Sequence, residues 1–180
     1  MTAPTLRLAA LALVLAPLGG CRATGPGPVP VAAAAAEDAL VELYRAFCFD
    51  AGREPDWDAM RALFAEGAAF VAPIAPGATP RAVDATRFLA DFRAYVRRPP
   101  YSETGLHERI THVRLDVYGA IAHAYVTFEG FVPGEAAART RGVDSIQLVR
   151  AGERWLLASF TTQYEDEQHP LPARFGSQEA

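Results

Sequence analysis

Between Glu108 and Glu165 the chain alternates polar and apolar residues with a period of two, the pattern of strands that bury one face. Val113, Leu115 and Val117 fall on one side of the first segment, with His112, Arg114 and Asp116 on the other. Gly119 interrupts the alternation and Ala120 to Val132 resumes it, with Ala122, Ala124, Val126 and Phe128 opposite His123, Tyr125, Thr127 and Glu129. The two segments read as a hairpin. A third strand is expected over Thr140 to Val149, and Ala151-Gly152-Glu153 turns it into a fourth, Arg154 to Glu165. Both are mixed in polarity, which suits a sheet partly covered on both faces.

Upstream, the period changes to that of a helix. Leu40, Val41, Leu43, Tyr44, Phe47 and Cys48 form a stripe over Glu37 to Ala51, with Glu37 and Asp38 in the first turn and Gly52 as the stop. Asp50 then stands in the last turn, against the negative end of the helix dipole, at a typical cost of about 0.3–1 kcal/mol. It is either solvated or kept for a purpose. Asp56 caps a second, short helix running to Phe64, and Ala68 to Pro73 reads as a short strand. Thr79-Pro80 has the form of an N-cap and first helical residue. The helix that follows carries Phe88, Leu89, Phe92, Tyr95 and Val96 on one stripe and stops at Pro99-Pro100.

Composition narrows the class. One domain is expected from 180 residues of which 51% are hydrophobic. All 17 basic side chains are arginines, scattered rather than striped, and the net charge is −4, so no nucleic-acid partner is expected. The chain has no GxSxG, no phosphate-cradling glycine loop and no CxxC, which removes support for hydrolase, nucleotide-binding and thiol-redox chemistry. Four dispersed histidines without an HExxH or Cys/His spacing imply neither a metal site nor a cofactor. Cys48 lies between two phenylalanines and reads as a core residue rather than a reactive thiol.

The N-terminus carries a compartment signal. Arg7 precedes an apolar run, Leu8 to Ala16, too short to span a bilayer. It leads to Leu18-Gly19-Gly20-Cys21, which resembles the lipobox of bacterial lipoproteins, in which the cysteine is lipidated and becomes the mature N-terminus. Ordinary secretion with cleavage near Ala32 to Ala36 is the competing reading. On the lipoprotein reading, residues 1–20 are the signal peptide and Cys21 is the lipidation site, with no intrachain disulfide for Cys48. Residues 21–36 form a flexible Gly/Pro/Ala tether, residues 37–175 the domain, and residues 176–180 a disordered tail. Arg22, where an inner-membrane retention signal would have aspartate, favours an anchor in the outer membrane facing the periplasm.

Several stretches carry a further resemblance. They are Asp56-Trp57-Asp58-Ala59-Met60-Arg61-Ala62-Leu63-Phe64, Glu108-Arg109, Gly119-Ala120-Ile121-Ala122, Arg141 to Val149, and Gly152-Glu153-Arg154-Trp155. In this order they resemble the nuclear transport factor 2-like superfamily, which includes SnoaL-like cyclases, scytalone dehydratase and ketosteroid isomerase. The resemblance implies an α+β fold in which a curved, mostly antiparallel sheet wraps around N-terminal helices and leaves a pocket at the wide end of a cone. It also implies that a homodimer through the sheet is available.

The fold alone does not transfer a function. In dehydratase-like members an aspartate ending the first helix orients a histidine on the second long strand, and Asp50 and His107 stand in about those places. They are the candidate catalytic pair, with Arg109 as an anion-binding partner. A solvated or structural role explains the pair equally simply. Tyr44, Arg109, Ser145, Gln147 and Tyr164 are the candidate pocket residues, although core packing and cross-strand hydrogen bonds account for the tyrosines and for Ser145 and Gln147 as well. His112 and His123 face away from the apolar side and read as surface or dimer contacts. The segment His169 to Phe175 either folds back across the cone mouth or frays. The leading reading is an envelope lipoprotein that binds a small apolar molecule, or a protein partner, without turnover. A cofactor-independent lyase or isomerase and a structural dimer are the alternatives.

Overall fold

The computed structural model describes residues 31–71 and 79–176, so the signal segment, Cys21 and the extreme C-terminal tail lie outside the described residues. Helix α1 spans Val31–Phe47, strand β1 Phe49–Asp50, helix α2 Trp57–Arg61, strand β2 Phe64–Val71 and strand β3 Ala82–Asp84. Helices α3 (Ala85–Val96) and α4 (Tyr101–Thr104) follow. Four long strands complete the sheet: β4 (Gly105–Tyr118), β5 (Ile121–Phe131), β6 (Thr140–Ala151) and β7 (Arg154–Tyr164).

Helix α1 begins six residues earlier than the apolar stripe suggests. The alanine run that reads as tether has the highest intrinsic helix propensity. It extends the helix until Ala36 becomes a rung of the buried row Ala36, Leu40, Leu43, Tyr44 and Phe47. The helix also ends earlier, at Phe47. Asp50 is therefore not in a last helical turn but in β1, where Phe49 faces Leu106 and Asp50 faces Gly105 on β4. Glycine is required at that crossing: a Cβ on Gly105, whose φ is +74°, would stand 2.5 Å from the Phe49 carbonyl oxygen.

Asp56 caps α2 as expected, its Oδ1 accepting from the Ala59 amide at 2.9 Å. The cap of α3 is Asp84 rather than Thr79, with Oδ1 accepting from the Arg87 amide at 2.8 Å. Ala82–Asp84 intervenes as β3, pairing with β2.

The seven strands run in the order β1-β4-β5-β6-β7-β2-β3, antiparallel except for the parallel β7–β2 pair. Three register shifts bend the sheet, in β4 between Ile110 and His112, between β6 and β7 at Gln147/Leu148, and in β2 between Phe64 and Ala69. The first shift reverses side-chain parity along β4. Ile110 faces inward before it, whereas Val113, Leu115 and Val117 face inward after it, all packed on the core. The core lies between α1, α3 and the inner face of the sheet. Its centre is Phe70, fully buried, stacked on Phe88 at 4.2 Å and edge-on to Phe64 at 4.8 Å.

Candidate functional site

Two hollows stand out among the described residues. One is a groove of about 1010 Å³ on the outer face of β4–β6, under the C-terminal segment Leu171 to Gly176. The other, of about 570 Å³, lies between α3 and the inner face of the sheet, walled by Phe47, Phe88, Phe92, Phe128, Phe160 and Tyr164. That volume falls in the range of small-molecule sites, and aromatic walls with a few polar groups are their usual composition.

The polar groups of this inner cavity are Glu108, Asp144 and Thr162, with Asp91 and Tyr95 of α3, and Arg98 just past its end, exposed at the rim. Asp144 belongs to the inward row Gly142, Asp144, Ile146 and Leu148 of β6, and only 2% of its surface is accessible. The Tyr44 hydroxyl, delivered by the fourth and last full turn of α1, donates a hydrogen bond to Asp144 Oδ2. Among the described residues Asp144 Oδ1 has no partner. Glu108 enters from β4 because the register shift turns its face inward. Its backbone is fixed from behind by Cys48, whose Sγ donates to the Tyr44 carbonyl at 3.2 Å and accepts from the Glu108 amide at 3.3 Å.

Burial sets the protonation of this cluster. It pushes Asp144 up to about 7, against the opposing pull of the Tyr44 and Thr162 hydroxyls. It pushes Glu108 up to about 8, and the neighbouring Asp144 charge adds to the rise. Burial also raises the phenols of Tyr44, Tyr95 and Tyr164, so all three stay protonated donors at neutral pH. It raises the Cys48 thiol too, which keeps that sulfur unreactive. The cavity therefore holds two carboxyl groups that change charge near neutrality, the range suited to proton transfer and to charge-dependent binding.

Tyr44→Phe tests the arrangement. With its donor gone, the ionised form of Asp144 loses support, so Asp144 titrates higher and stability falls by about 1–3 kcal/mol. Carboxyl NMR and urea unfolding read the two effects, and a variant that titrates and unfolds like the parent would contradict the contact.

The residues singled out from the sequence divide between the two faces. Asp50 and His107 do meet, with Asp50 Oδ1 3.1 Å from His107 Nε2, but their side chains are 63% and 37% exposed and neither is among the cavity-lining residues. Tyr164 lines the cavity, and Tyr44 stands directly behind Asp144. Arg109 does not line it: the residue lies on the outer face, pairing with Glu129 at 2.6 Å and lining the outer groove. Ser145 and Gln147 also turn outward, Ser145 meeting His123 Nε2 at 3.1 Å and Gln147 lying exposed. The C-terminal segment folds back, not across the cone mouth but over the outer face. There the Phe175 carbonyl accepts from the Thr127 hydroxyl at 2.6 Å and the Phe175 ring packs on Tyr125.

Glu108 and Asp144 are not among the candidates that the residue pattern singles out. Asp144 carried a legible signal, a charge two residues before Ile146 and four before Leu148 on an apolar row. Glu108 carried none, because extending the alternation of Val113, Leu115 and Val117 backwards puts Arg109 and His107 inside and Glu108 outside.

No protein-family model matches the chain, and no curated protein matches it in sequence. Its likeness is to solved structures. A nuclear transport factor 2-like protein of unknown function from Pseudomonas putida KT2440 superposes with a TM-score of 0.59 at 11% identity, covering 78% of this chain and 93% of that one. A protein of unknown function with a cystatin-like fold from Nostoc punctiforme PCC 73102 gives 0.58 at 10% identity, with 74% and 91% covered. A nuclear transport factor 2-like protein of unknown function from Shewanella baltica OS155 gives 0.51 at 16%, with 74% and 94% covered. The fold is thus the α+β cone of nuclear transport factor 2-like proteins, and at these identities the likeness extends to the fold alone.

Proposed function

We propose that the protein binds one small, largely apolar molecule in the cavity at the wide end of the cone, without using Asp50 and His107 to transform it. The observation that carries this reading is an open hollow of about 570 Å³ with aromatic walls and a few polar groups, Glu108, Asp144 and Thr162, set apart from the Asp50–His107 pair. A polarity-sensitive neutral dye such as Nile red tests it. Binding at one site per chain, lost when Trp replaces Ala94 at the cavity wall, is the expected result. Absence of binding, or binding indifferent to Ala94→Trp, counts against the cavity as a ligand site.

The 3.1 Å approach of His107 to Asp50 keeps a second reading in view, a cofactor-independent lyase or isomerase acting from the solvent side of β4. It requires a substrate whose turnover falls by at least about 100-fold in His107→Ala, the scale of general-base catalysis. A dimer paired through the sheet, the third reading, has to share the outer face with Phe175 and its neighbours.

We also propose that Cys21 is lipidated and tethers the domain to the envelope, on the outer membrane facing the periplasm. The support is the apolar run ending at Leu18-Gly19-Gly20-Cys21. None of the described helices is long and apolar enough to cross a membrane. Labelled palmitate incorporated into the wild type and absent from Cys21→Ala is the expected outcome, and an unlabelled wild type would refute it.

A further inference from the structure

Asp144 and Glu108 place two acidic groups in one aromatic cavity, and no cationic side chain among the described residues acts on either of them. Asp144 is almost completely buried and one of its oxygens has no hydrogen-bond partner among the described residues. An unpartnered buried carboxylate oxygen is costly, and proteins normally satisfy such a group with a donor or a positive charge. Asp144 lines the cavity, and Thr162, which faces it on β7 and lines the cavity too, is the one other hydroxyl besides Tyr44 that acts on it. Tyr44 already donates to the other oxygen of Asp144, so what remains is acceptor capacity.

The walls complement the same charge. Phe88, Phe92, Phe128, Phe160 and Tyr164 present π systems, whose electron-rich faces attract cations, while their area covers hydrocarbon. A cation surrounded by aromatic rings and closed off by carboxylates is favoured over a neutral group of the same shape, provided it brings enough apolar surface to offset its own desolvation.

We propose that the cavity is a site for a small hydrophobic amine, with the protonated nitrogen at the Asp144–Glu108 end and the hydrocarbon part against the phenylalanine rings. This deepens the binding reading above and rests on it. The acidic pair supplies the charge selectivity, and the rings supply the affinity. Asp91 on α3 and Arg98 just past its end, both exposed at the rim, bear opposite charges and leave the interior balance to the two acids. The other ionisable groups beside the pair are the phenols of Tyr44 from α1, Tyr95 from α3 and Tyr164 from β7 and the thiol of Cys48 between α1 and β1; burial raises all four, so they stay uncharged at neutral pH. Amine binding therefore weakens as the acids take up protons, between about pH 8 and pH 5.

Calorimetric titration with 4-phenylbutylamine and with its neutral counterpart 4-phenylbutan-1-ol, at pH 8 and pH 5, tests the proposal on the intact folded domain. The amine is expected to bind at least about tenfold more tightly than the alcohol at pH 8, with the preference shrinking at pH 5. The Glu108→Gln/Asp144→Asn double variant is expected to lose the preference while still binding the alcohol. Equal affinities at pH 8, or tighter binding of the alcohol, would overturn the amine assignment and leave the cavity reading standing. Failure of both compounds to bind would overturn both. The wild-type pH comparison decides the matter even if the double variant does not fold.

Discussion

Raising the pH from 5 to 9 is expected to lower the stability of the protein markedly, in a range where most domains change little. The cause is the pair in the cavity. In the unfolded chain Asp144 and Glu108 ionise near pH 4, whereas in the folded protein they hold their protons until about pH 7 and about pH 8. Between those limits the folded state binds protons that the unfolded state does not, so stability falls as pH rises. The contribution is complete below about pH 4, declines progressively from there until the folded-state values near pH 7 and pH 8 are passed, and is level above that. The steepest possible slope is about 1.4 kcal/mol per pH unit for each group. Urea unfolding at a series of pH values reads this directly. In Glu108→Gln/Asp144→Asn the curve is expected to flatten, and the variant is expected to be the more stable protein at pH 9. A wild type whose stability is level or rises from pH 5 to 9 would show that the carboxyls are solvated.

Phe70→Ala is the second large effect. Phe70 is fully buried at the meeting of β2, α3 and β7, stacked on Phe88 and within 6.3 Å of the Phe160 ring. Removing it deletes the buried ring and leaves a void that only partial collapse can fill, which costs about 3–5 kcal/mol. Against a typical total of about 5–15 kcal/mol, that brings the domain close to unfolding. Because Phe88 and Phe160 also wall the cavity, ligand binding should weaken with it. The urea midpoint provides the check, and a loss under about 1 kcal/mol would mean that Phe70 is not the keystone of the packing.

The sequence made most of the fold legible because its strands are long and its apolar rows regular. The β4–β5 hairpin, the cap of α2 and the stripe Phe88, Phe92 and Val96 on α3 all follow from periodicity. Boundaries were harder to read. The start of α1 is hidden by an alanine run whose low side-chain information resembles a linker, and its end by β1, a pairing of two residues that depends on partners 57 and 55 positions away. The cap of α3 was misplaced because Thr79-Pro80 satisfies the local rule while Asp84 satisfies the tertiary one.

The site was less legible for a specific reason. One extra residue in β4 exchanges the two faces of the strand, so His107 and Arg109, which strict alternation directs inward, point out and Glu108 points in. A bulge of that kind leaves no mark in composition or spacing. On β6 the polarity is too mixed for alternation to choose a face, and only the register with β5, where Asp144 faces the buried Val126, settles that Asp144 is internal and Ser145 and Gln147 are not.

The proposed site requires two acids enclosed in the hollow rather than exposed on its rim. Carbon-13 NMR titration of the aspartate and glutamate carboxyl signals tests this most directly. Two resonances are expected to titrate with midpoints near 7 and 8, assigned through their loss in Asp144→Asn and Glu108→Gln. If every carboxyl in the folded protein has titrated by pH 5, the acids are in water and the enclosed site does not exist.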